Sequence, residues 1–185
     1  MTRSCLDSLL QVTLPAGARL RPQSADDLAF LQELFVSRRW DEVSAVPGWS
    51  DAQRRAFLHN QAELQRQHYE RHYERHYPEA QWLIVEQAGQ PIGRLCLHRH
   101  ATEQRIVDIA LLPAWHGQGL GTRLLRAILA QADAQGHNSS LSVETASRAR
   151  YLYQRLGFEP IEENGLYLQM QRPAQRPVRE DLDNP

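Results

Sequence analysis

The sequence contains no lysine, only two cysteines and no excess of charge of either sign. Its 21 basic side chains are all arginine and face 22 acidic ones, which gives a formal net charge of −1. Nucleic-acid-binding proteins normally carry a basic excess, so the composition argues against that class. Cys5 and Cys96 cannot build a disulfide framework, and a pair of this kind favours a reducing compartment.

Long apolar runs are also missing, since no stretch approaches the ~18 consecutive apolar residues of a membrane span. Asp7 and Gln11 interrupt the apolar residues near the N-terminus, so a signal-peptide core is not expected there. The sequence therefore predicts a soluble cytoplasmic protein with no membrane partner. Its 185 residues suffice for one domain with a core and are too few for two domains of ordinary size.

The chain divides into a flexible leader over residues 1–17, one domain over residues 18–172 and a polar, proline-rich tail over residues 173–185 that is predicted to be disordered. Ser24 with Asp27 and Ser50 with Gln53 form capping boxes that mark two helix starts. Within the domain we expect a strand, two helices, three strands, a glycine-rich turn with a helix, a strand, a helix and two strands. This α/β (α+β) order predicts a mostly antiparallel mixed sheet of about seven strands flanked by about four helices.

The second predicted helix ends in a repeated unit, HYERHYERHY (68–77), which spaces His68, His72 and His76 four residues apart. Histidines at this spacing can chelate zinc. No cysteine joins them and no carboxylate is clearly placed to complete a site, so a slipped duplication on a partly exposed helix face is the better explanation. We therefore predict no metal site.

The strongest local signal is a predicted strand, RIVDIALLP (105–113), followed by HGQGLGT (116–122) and a helix. Glycines let the backbone approach a ligand, and a helix start offers free N–H groups and a positive dipole end, which together favour phosphate. The turn has neither the Lys-Ser/Thr ending of a P-loop nor the third glycine of a dinucleotide fingerprint, where Thr122 stands. A tight turn with a structural role is the alternative.

Residues 106–125, IVDIALLPAWHGQGLGTRLL, resemble the cofactor motif of the GNAT superfamily of acyl-CoA-dependent N-acetyltransferases. That motif is R/Q-x-x-G-x-G/A after a strand and at the start of a helix, and here His116 stands at its first position. ARYLYQRLGF (149–158) resembles the second signature of the family, A-x-x-L-Y-x-x-x-G-F. The order of the predicted elements extends the resemblance to about residues 18–172 and implies a GNAT-like fold.

The resemblance implies acetyl-CoA as co-substrate and an amine as acceptor, with no metal and no nucleic acid, and a homodimer is compatible with it. The thioester arm would run along the backbone at the end of the third strand, and the pyrophosphate would lie on the glycine turn, near Arg123 or Arg126. An asparagine usually precedes the second signature, and Ala146 or Ser147 stands at its place. The residues implied to bind the cofactor are Ile109, Ala110, Leu111, His116, Gly117, Gln118, Gly119, Leu120, Gly121, Thr122 and Ser147.

Direct attack by an amine requires a group that accepts its proton, and the leaving thiol benefits from a proton donor. By the resemblance, Tyr153 is the expected acid, with a core tyrosine as its alternative. Asp108 lies inside an apolar strand, where a buried carboxylate is costly unless it has a partner or a function. It is therefore a candidate base that acts directly or through water. A carboxylate bonded to backbone or to an arginine is an equal explanation. Weaker candidates for the base or a proton relay are Glu144, His98 and His100.

The acceptor is not determined by the sequence. The resemblance places the first two helices on the acceptor side, which offers Arg38, Arg39, Trp40, Asp41, Glu42 and Trp49. The aromatic and acidic groups suit a cationic amine, and the arginines suit an amine that carries a carboxylate. The alternative to an N-acetyltransferase is a non-catalytic acyl-CoA-binding or sensor module. A nucleotide-binding regulator would need a phosphate-binding lysine, which the chain lacks.

Overall fold

The computed structural model describes Leu14, residues 17–77 and residues 79–175. Within these residues, seven strands form one sheet in the order β1-β2-β3-β4-β5-β7-β6, and every neighbouring pair is antiparallel except β4–β5. The predicted fold class is confirmed. The elements are β1 (Ala18–Pro22), α1 (Leu28–Ser44), α2 (Asp51–His76), β2 (Gln81–Gln87), β3 (Gln90–His100), β4 (Glu103–Leu111), α3 (Leu120–Ala134), β5 (Asn138–Glu144), α4 (Ala149–Arg155), β6 (Glu159–Glu163) and β7 (Tyr167–Arg172).

The predicted leader and tail lie outside the described residues except for Leu14, Gly17 and residues 173–175. Leu14 is 5% exposed and packs into the main core. The backbone of the histidine repeat belongs to α2 up to His76, whereas the side chains of its residues 68–76 lie outside the described part. Of the helices in the described part, none combines the length and apolarity needed to cross a bilayer.

Ion pairs with buried carboxylates connect the start of the first helix to the edge of the sheet. The Arg21 guanidinium of β1 donates to both carboxylate oxygens of Asp27, at 2.7 and 2.6 Å, and to Glu86 of β2 at 2.5 Å. Asp27 in turn accepts the Ser24 N–H at 2.8 Å, as the predicted capping box requires. Both carboxylates are buried. These contacts fix where α1 leaves β1 and therefore how it lies across the sheet.

The main core lies between the sheet and α3, and a smaller cluster joins α1 to α2 through Val36, Val43 and Leu58. Successive side chains of a strand point to opposite faces. In β3, Leu95 and Leu97 belong to the main core, and Arg94 borders the cleft of α1 and α2. The two helical layers therefore cover opposite faces of the sheet. The apolar stripe of α3 is buried in full, at Leu120, Leu124, Leu125, Ile128, Leu129 and Ala132.

The sheet is split between β4 and β5. These strands pair only where residues 103–106 face residues 138–141. Beyond that point β4 continues with β3 alone and β5 with β7 alone. In the pairing of β3 with β4, Leu97 faces Ile106 and the next residue, Cys96, faces Asp108. Val107 is therefore an extra, bulged residue of β4, and it increases the local twist. We call the gap between residues 107–111 and 142–144 the wedge.

Candidate functional site

One side of the wedge is the backbone edge of β4. In an antiparallel ladder, successive residues direct their peptide groups alternately toward the partner strand and away from it. The Leu112 N–H donates to the Ile92 carbonyl of β3 at 2.9 Å, so Ala110, which faces Arg94, is also paired with β3. Ile109 and Leu111 therefore direct their peptide groups into the wedge. Of the three residues expected to pair with a ligand, Ile109 can do so with its N–H and its carbonyl, and Leu111 can do so with its N–H, because its carbonyl is bonded to His116. The ladder occupies Ala110.

The wedge leads into the glycine turn. After Leu112 the chain makes a single 3-10 turn and reaches Gly117 and Gly119, whose φ angles of 72° and 73° favour glycine. The Arg123 N–H donates to the Gly119 carbonyl at 3.0 Å and so closes the first turn of α3. The three preceding amides, at residues 120–122, belong to the N-terminal N–H groups for which a helix provides no acceptor. Apart from Gly117 itself and its two chain neighbours, no described residue has an atom within 4 Å of where a Cβ of Gly117 would lie, so the turn is open to a ligand.

Two basic side chains flank this turn in different ways. His116 Nε2 lies 2.8 Å from the Leu111 carbonyl oxygen, so that nitrogen carries the proton and the ring is held against the end of β4. A Cβ on Gly119 would lie 3.4 Å from Arg123 Nη1, which places that guanidinium over the turn. Gln118 donates to the Ala114 carbonyl at 2.6 Å and stiffens the loop. The turn thus combines free amides with a nearby positive charge.

Tyr153 stands on α4 where the wedge opens toward α1. Its ring is buried and meets Phe158 edge to face, with centroids 6.0 Å apart. Burial raises the pKa of Tyr153, and the negative charge of Asp108 raises it further, whereas the positive charge of Arg38 partly opposes them. The phenol therefore keeps its proton at neutral pH.

Asp108 faces the same cleft and is held by arginine. Its Oδ2 lies 2.7 Å from Arg94 Nε and 2.5 Å from Arg94 Nη2, and its Oδ1 lies 3.5 Å from Arg38 Nη1. The carboxylate is 19% exposed. Both features expected of Asp108 are thus present, since it borders the cleft and it is bonded to an arginine.

A cleft of about 740 Å³, here the polar cleft, gathers the predicted residues of the reaction side. Asp108 of β4, Glu144 of β5 and Tyr153 of α4 all line it, together with Ser147 from the segment between β5 and α4. The Ser147 hydroxyl accepts the Ala149 N–H at 3.2 Å and so helps to begin α4. On the acceptor side Arg38, Arg39 and Glu42 line it as well.

Other predicted candidates lie elsewhere. His98 and His100 border neither of the two clefts described here, and the His98 ring packs against Tyr77 with centroids 5.0 Å apart. Burial and the neighbouring His100 lower the pKa of His98. Trp40 packs on the small α1–α2 cluster, and Trp49 meets Phe57 at 5.2 Å. These aromatic residues build the helical layer.

A second cleft of about 680 Å³, the apolar cleft, adjoins the polar one between α1, α2 and strands β2 and β3. Arg94, Tyr77 and Trp82 border it and were not predicted from the sequence. Arg94 had a detectable signal, because a charged residue inside the apolar strand IGRLCL needs a partner just as Asp108 does. The sequence around Tyr77 and Trp82 does not distinguish them from aromatic residues of the core.

Comparison with known proteins agrees with this geometry. The family model described as an acetyltransferase (GNAT) domain matches residues 78–160. The PaiA N-acetyltransferase of Thermoplasma acidophilum in complex with coenzyme A superposes with a TM-score of 0.61 at 18% identity, over 84% of this chain and 98% of that one. The ribosomal-protein-S18-alanine N-acetyltransferase of Escherichia coli gives a TM-score of 0.53 at 19% identity, over 88% and 97%. An acetyltransferase of Thermus thermophilus gives 0.58 at 17% identity, over 88% and 98%. These structures share the fold.

Proposed function

We propose that this chain, whose residues 78–160 match the acetyltransferase (GNAT) domain model and whose fold matches acetyltransferase structures, transfers an acetyl group from acetyl-CoA to a primary amine by direct attack. The acceptor is a small molecule or a protein amine. The observation that carries the proposal is the wedge, which joins an open strand edge and a glycine turn to the cleft that holds Tyr153 and Asp108.

The residues of the wedge fit acetyl-CoA. Its amide-bearing arm matches the Ile109 peptide groups and the Leu111 N–H, which are directed into the gap. Its pyrophosphate matches the amides of residues 117–122 and the guanidinium of Arg123, because a helix start with free N–H groups stabilises an anion. Bound acetyl-CoA would supply an activated acetyl group, whose C–S bond breaks as the C–N bond to the amine forms and coenzyme A leaves as a thiol.

Tyr153 is proposed as the proton donor for the departing sulfur. Its raised pKa keeps the hydroxyl protonated at neutral pH, which a general acid requires. Its place on α4, across the wedge from the edge of β4, supports this role.

Asp108 is proposed as the group that accepts the proton of the amine, directly or through water. An alkyl ammonium with a pKa of ~10.4 is almost entirely protonated at pH 7, so an acceptor for its proton speeds the attack. Arg94 occupies Oδ2, and Oδ1 faces Arg38 across 3.5 Å. The Oδ1 side is therefore the one that an amine can approach.

The experiment is a calorimetric titration with acetyl-CoA, followed by a free-thiol assay over a panel of amines. We expect binding and amine-dependent thiol release, and both should be lost in Gly119→Glu, which puts bulk and negative charge in the turn. Binding without release for any amine would favour the alternative function, a non-catalytic acyl-CoA-binding or sensor module. Absence of acetyl-CoA binding would overturn the proposal.

A further inference from the structure

The polar and apolar clefts meet at a neck. Five residues line both clefts, and they are two arginines, two aromatic residues and one amide: Arg38, Arg94, Phe35, Tyr77 and Gln65. A molecule that enters the apolar cleft therefore passes two guanidinium groups before it reaches Asp108. None of these five residues is acidic.

The acidic groups that border the clefts are mostly engaged. Arg94 holds Asp108, Arg39 contacts Glu42 at 2.8 Å, and Arg66 contacts Glu63 at 2.7 Å. The fourth, Glu144, ends β5 on the opposite wall. A ligand whose only charge is positive would have to compete with arginine for three of these four carboxylates.

The positive charge of Arg38 is less well compensated. Arg38 Nη1 lies 3.5 Å from Asp108 Oδ1, which is longer than a good hydrogen bond, and the Arg38 side chain is 46% exposed. It shares the Asp108 carboxylate with Arg94, which binds the other oxygen at shorter distances. Arg105, further along the polar cleft, bonds to the neutral oxygens of Ser142 at 2.5 Å and Gln169 at 3.2 Å. A ligand carboxylate at the neck would balance the charge of Arg38.

The apolar cleft supplies room for a hydrophobic group. Its volume of about 680 Å³ falls within the range of small-molecule sites, roughly 300–1,000 Å³. The Arg94 guanidinium stacks over the Trp82 ring at 5.6 Å and closes one end beside the neck. Its apolar lining comes mainly from α1, α2 and β2 and includes Leu28, Leu31, Leu34, Phe35, Ala62 and Trp82.

We propose that the acceptor is a free amino acid with an apolar or aromatic side chain. Its carboxylate would lie on Arg38 at the neck, its amine would face Asp108 Oδ1, and its side chain would fill the apolar cleft. The 3.5 Å separation of Arg38 Nη1 from Asp108 Oδ1 puts a carboxylate site beside an amine site, as neighbouring amino and carboxyl groups require. This inference rests on the proposed function and names its substrate class.

The test measures acceptor binding by calorimetry with and without coenzyme A, which cannot transfer an acetyl group. The probes are L-phenylalanine, L-phenylalaninamide and phenethylamine, which share the ring and the amine and differ in the carboxylate. We expect the Kd of phenylalanine to be lower than those of the other two probes by a factor of about ten or more. The other two lack the carboxylate and therefore lose a hydrogen bond to the charged Arg38. Arg38→Gln should remove this preference, and Arg38→Lys should restore part of it.

Arg55→Gln is the matched control, because Arg55 is a half-exposed arginine that contacts Glu33 at 3.2 Å and borders neither cleft. It should keep the preference for phenylalanine. Equal binding of the three probes, a preference that survives Arg38→Gln, or binding of peptide N-termini in place of free amino acids would overturn the inference. These results would not contradict the proposed function, which predicts acetyl-CoA binding and thiol release with an amine of any class. Absence of acetyl-CoA binding would contradict the proposed function itself.

Discussion

Arg94 holds Asp108 through Oδ2, which lies 2.7 Å from Nε and 2.5 Å from Nη2 of the guanidinium. This grip fixes the rotation of the carboxylate and turns Oδ1 toward α1, where Arg38 stands. The register that opposes Cys96 to Asp108 puts the Asp108 side chain on the face that carries Arg94. Arg94 thus holds one side of the carboxylate, and the other side is the one proposed to face the substrate amine.

We expect Asp108→Asn to lower kcat by about 10²-fold at neutral pH, a typical loss for a positioned proton acceptor. The loss should shrink as pH rises toward the pKa of the amine, since a neutral amine needs no base. The measurement is a pH profile of kcat/KM for both proteins. If Asp108 only holds Arg94, the profile keeps its shape and thermal stability alone falls.

Tyr153→Phe should lower kcat by about 10²-fold and leave the Kd for acetyl-CoA nearly unchanged, because the hydroxyl is proposed to act on the leaving sulfur and not to bind the cofactor. Tyr151→Phe on the same helix is the control, since Tyr151 is exposed and its hydroxyl meets Arg150 at 2.6 Å. Because the pKa of Tyr153 is raised, its hydroxyl stays protonated, and ionisation of Tyr153 should not lower the activity of the wild type below about pH 10. Unchanged turnover in Tyr153→Phe would remove this residue from the mechanism.

Gly119→Ala should weaken acetyl-CoA binding far more than Gly136→Ala. Both glycines have positive φ angles, 73° and 69°, so alanine strains the backbone at both. Only Gly119 lies in the turn at the start of α3, whereas Gly136 follows the end of that helix. Calorimetric Kd values, with urea unfolding to correct for strain, separate the two effects. Equal Kd values for the two variants would show that the turn does not bind the pyrophosphate.

Stability should fall in acid through Asp27 and Glu86. The Arg21 guanidinium lowers the pKa of Asp27 to about 2 and also lowers the pKa of Glu86. A carboxylate with a depressed folded-state pKa stabilises the fold above its unfolded pKa of ~4, and this contribution is lost as pH falls toward the folded value. Urea unfolding between pH 7 and pH 2 should show a smaller decline in Asp27→Asn than in the wild type. Parallel declines would contradict this assignment.

Most of the fold was predictable because each element carries a local signal. The apolar stripe of α3 and the glycines around it define that helix without reference to the rest of the chain. The end of α1 has a weaker signal, because the spacing of Leu28, Leu31, Leu34 and Phe35 indicates a helix only to about Arg38, whereas the helix continues to Ser44. Nothing between these residues breaks a helix, and the actual stop is the Pro47-Gly48 pair that follows.

The candidate site was predictable only in part, because half of it depends on long-range pairing. The glycine turn and Tyr153 lie within contiguous motifs. The contacts of Asp108 with Arg94 and Arg38 depend on the register of β3 against β4 and on the placement of α1. A shift of one residue would turn Asp108 to the opposite face of the sheet, and the bulge at Val107 sets that register. No periodicity in the sequence indicates such a bulge.

The short seam between β4 and β5 has a consequence for hydrogen exchange. Among the described residues, the two halves of the sheet are paired only where residues 103–106 face residues 138–141, so this pairing can open without disrupting the ladders within each half. A ligand bound in the wedge would contact β4 and β5 where they do not pair, and it would connect the two halves of the sheet as an additional strand would. Protection should then rise at the amides of Ile109 and Leu111, and the two halves should unfold as one cooperative unit.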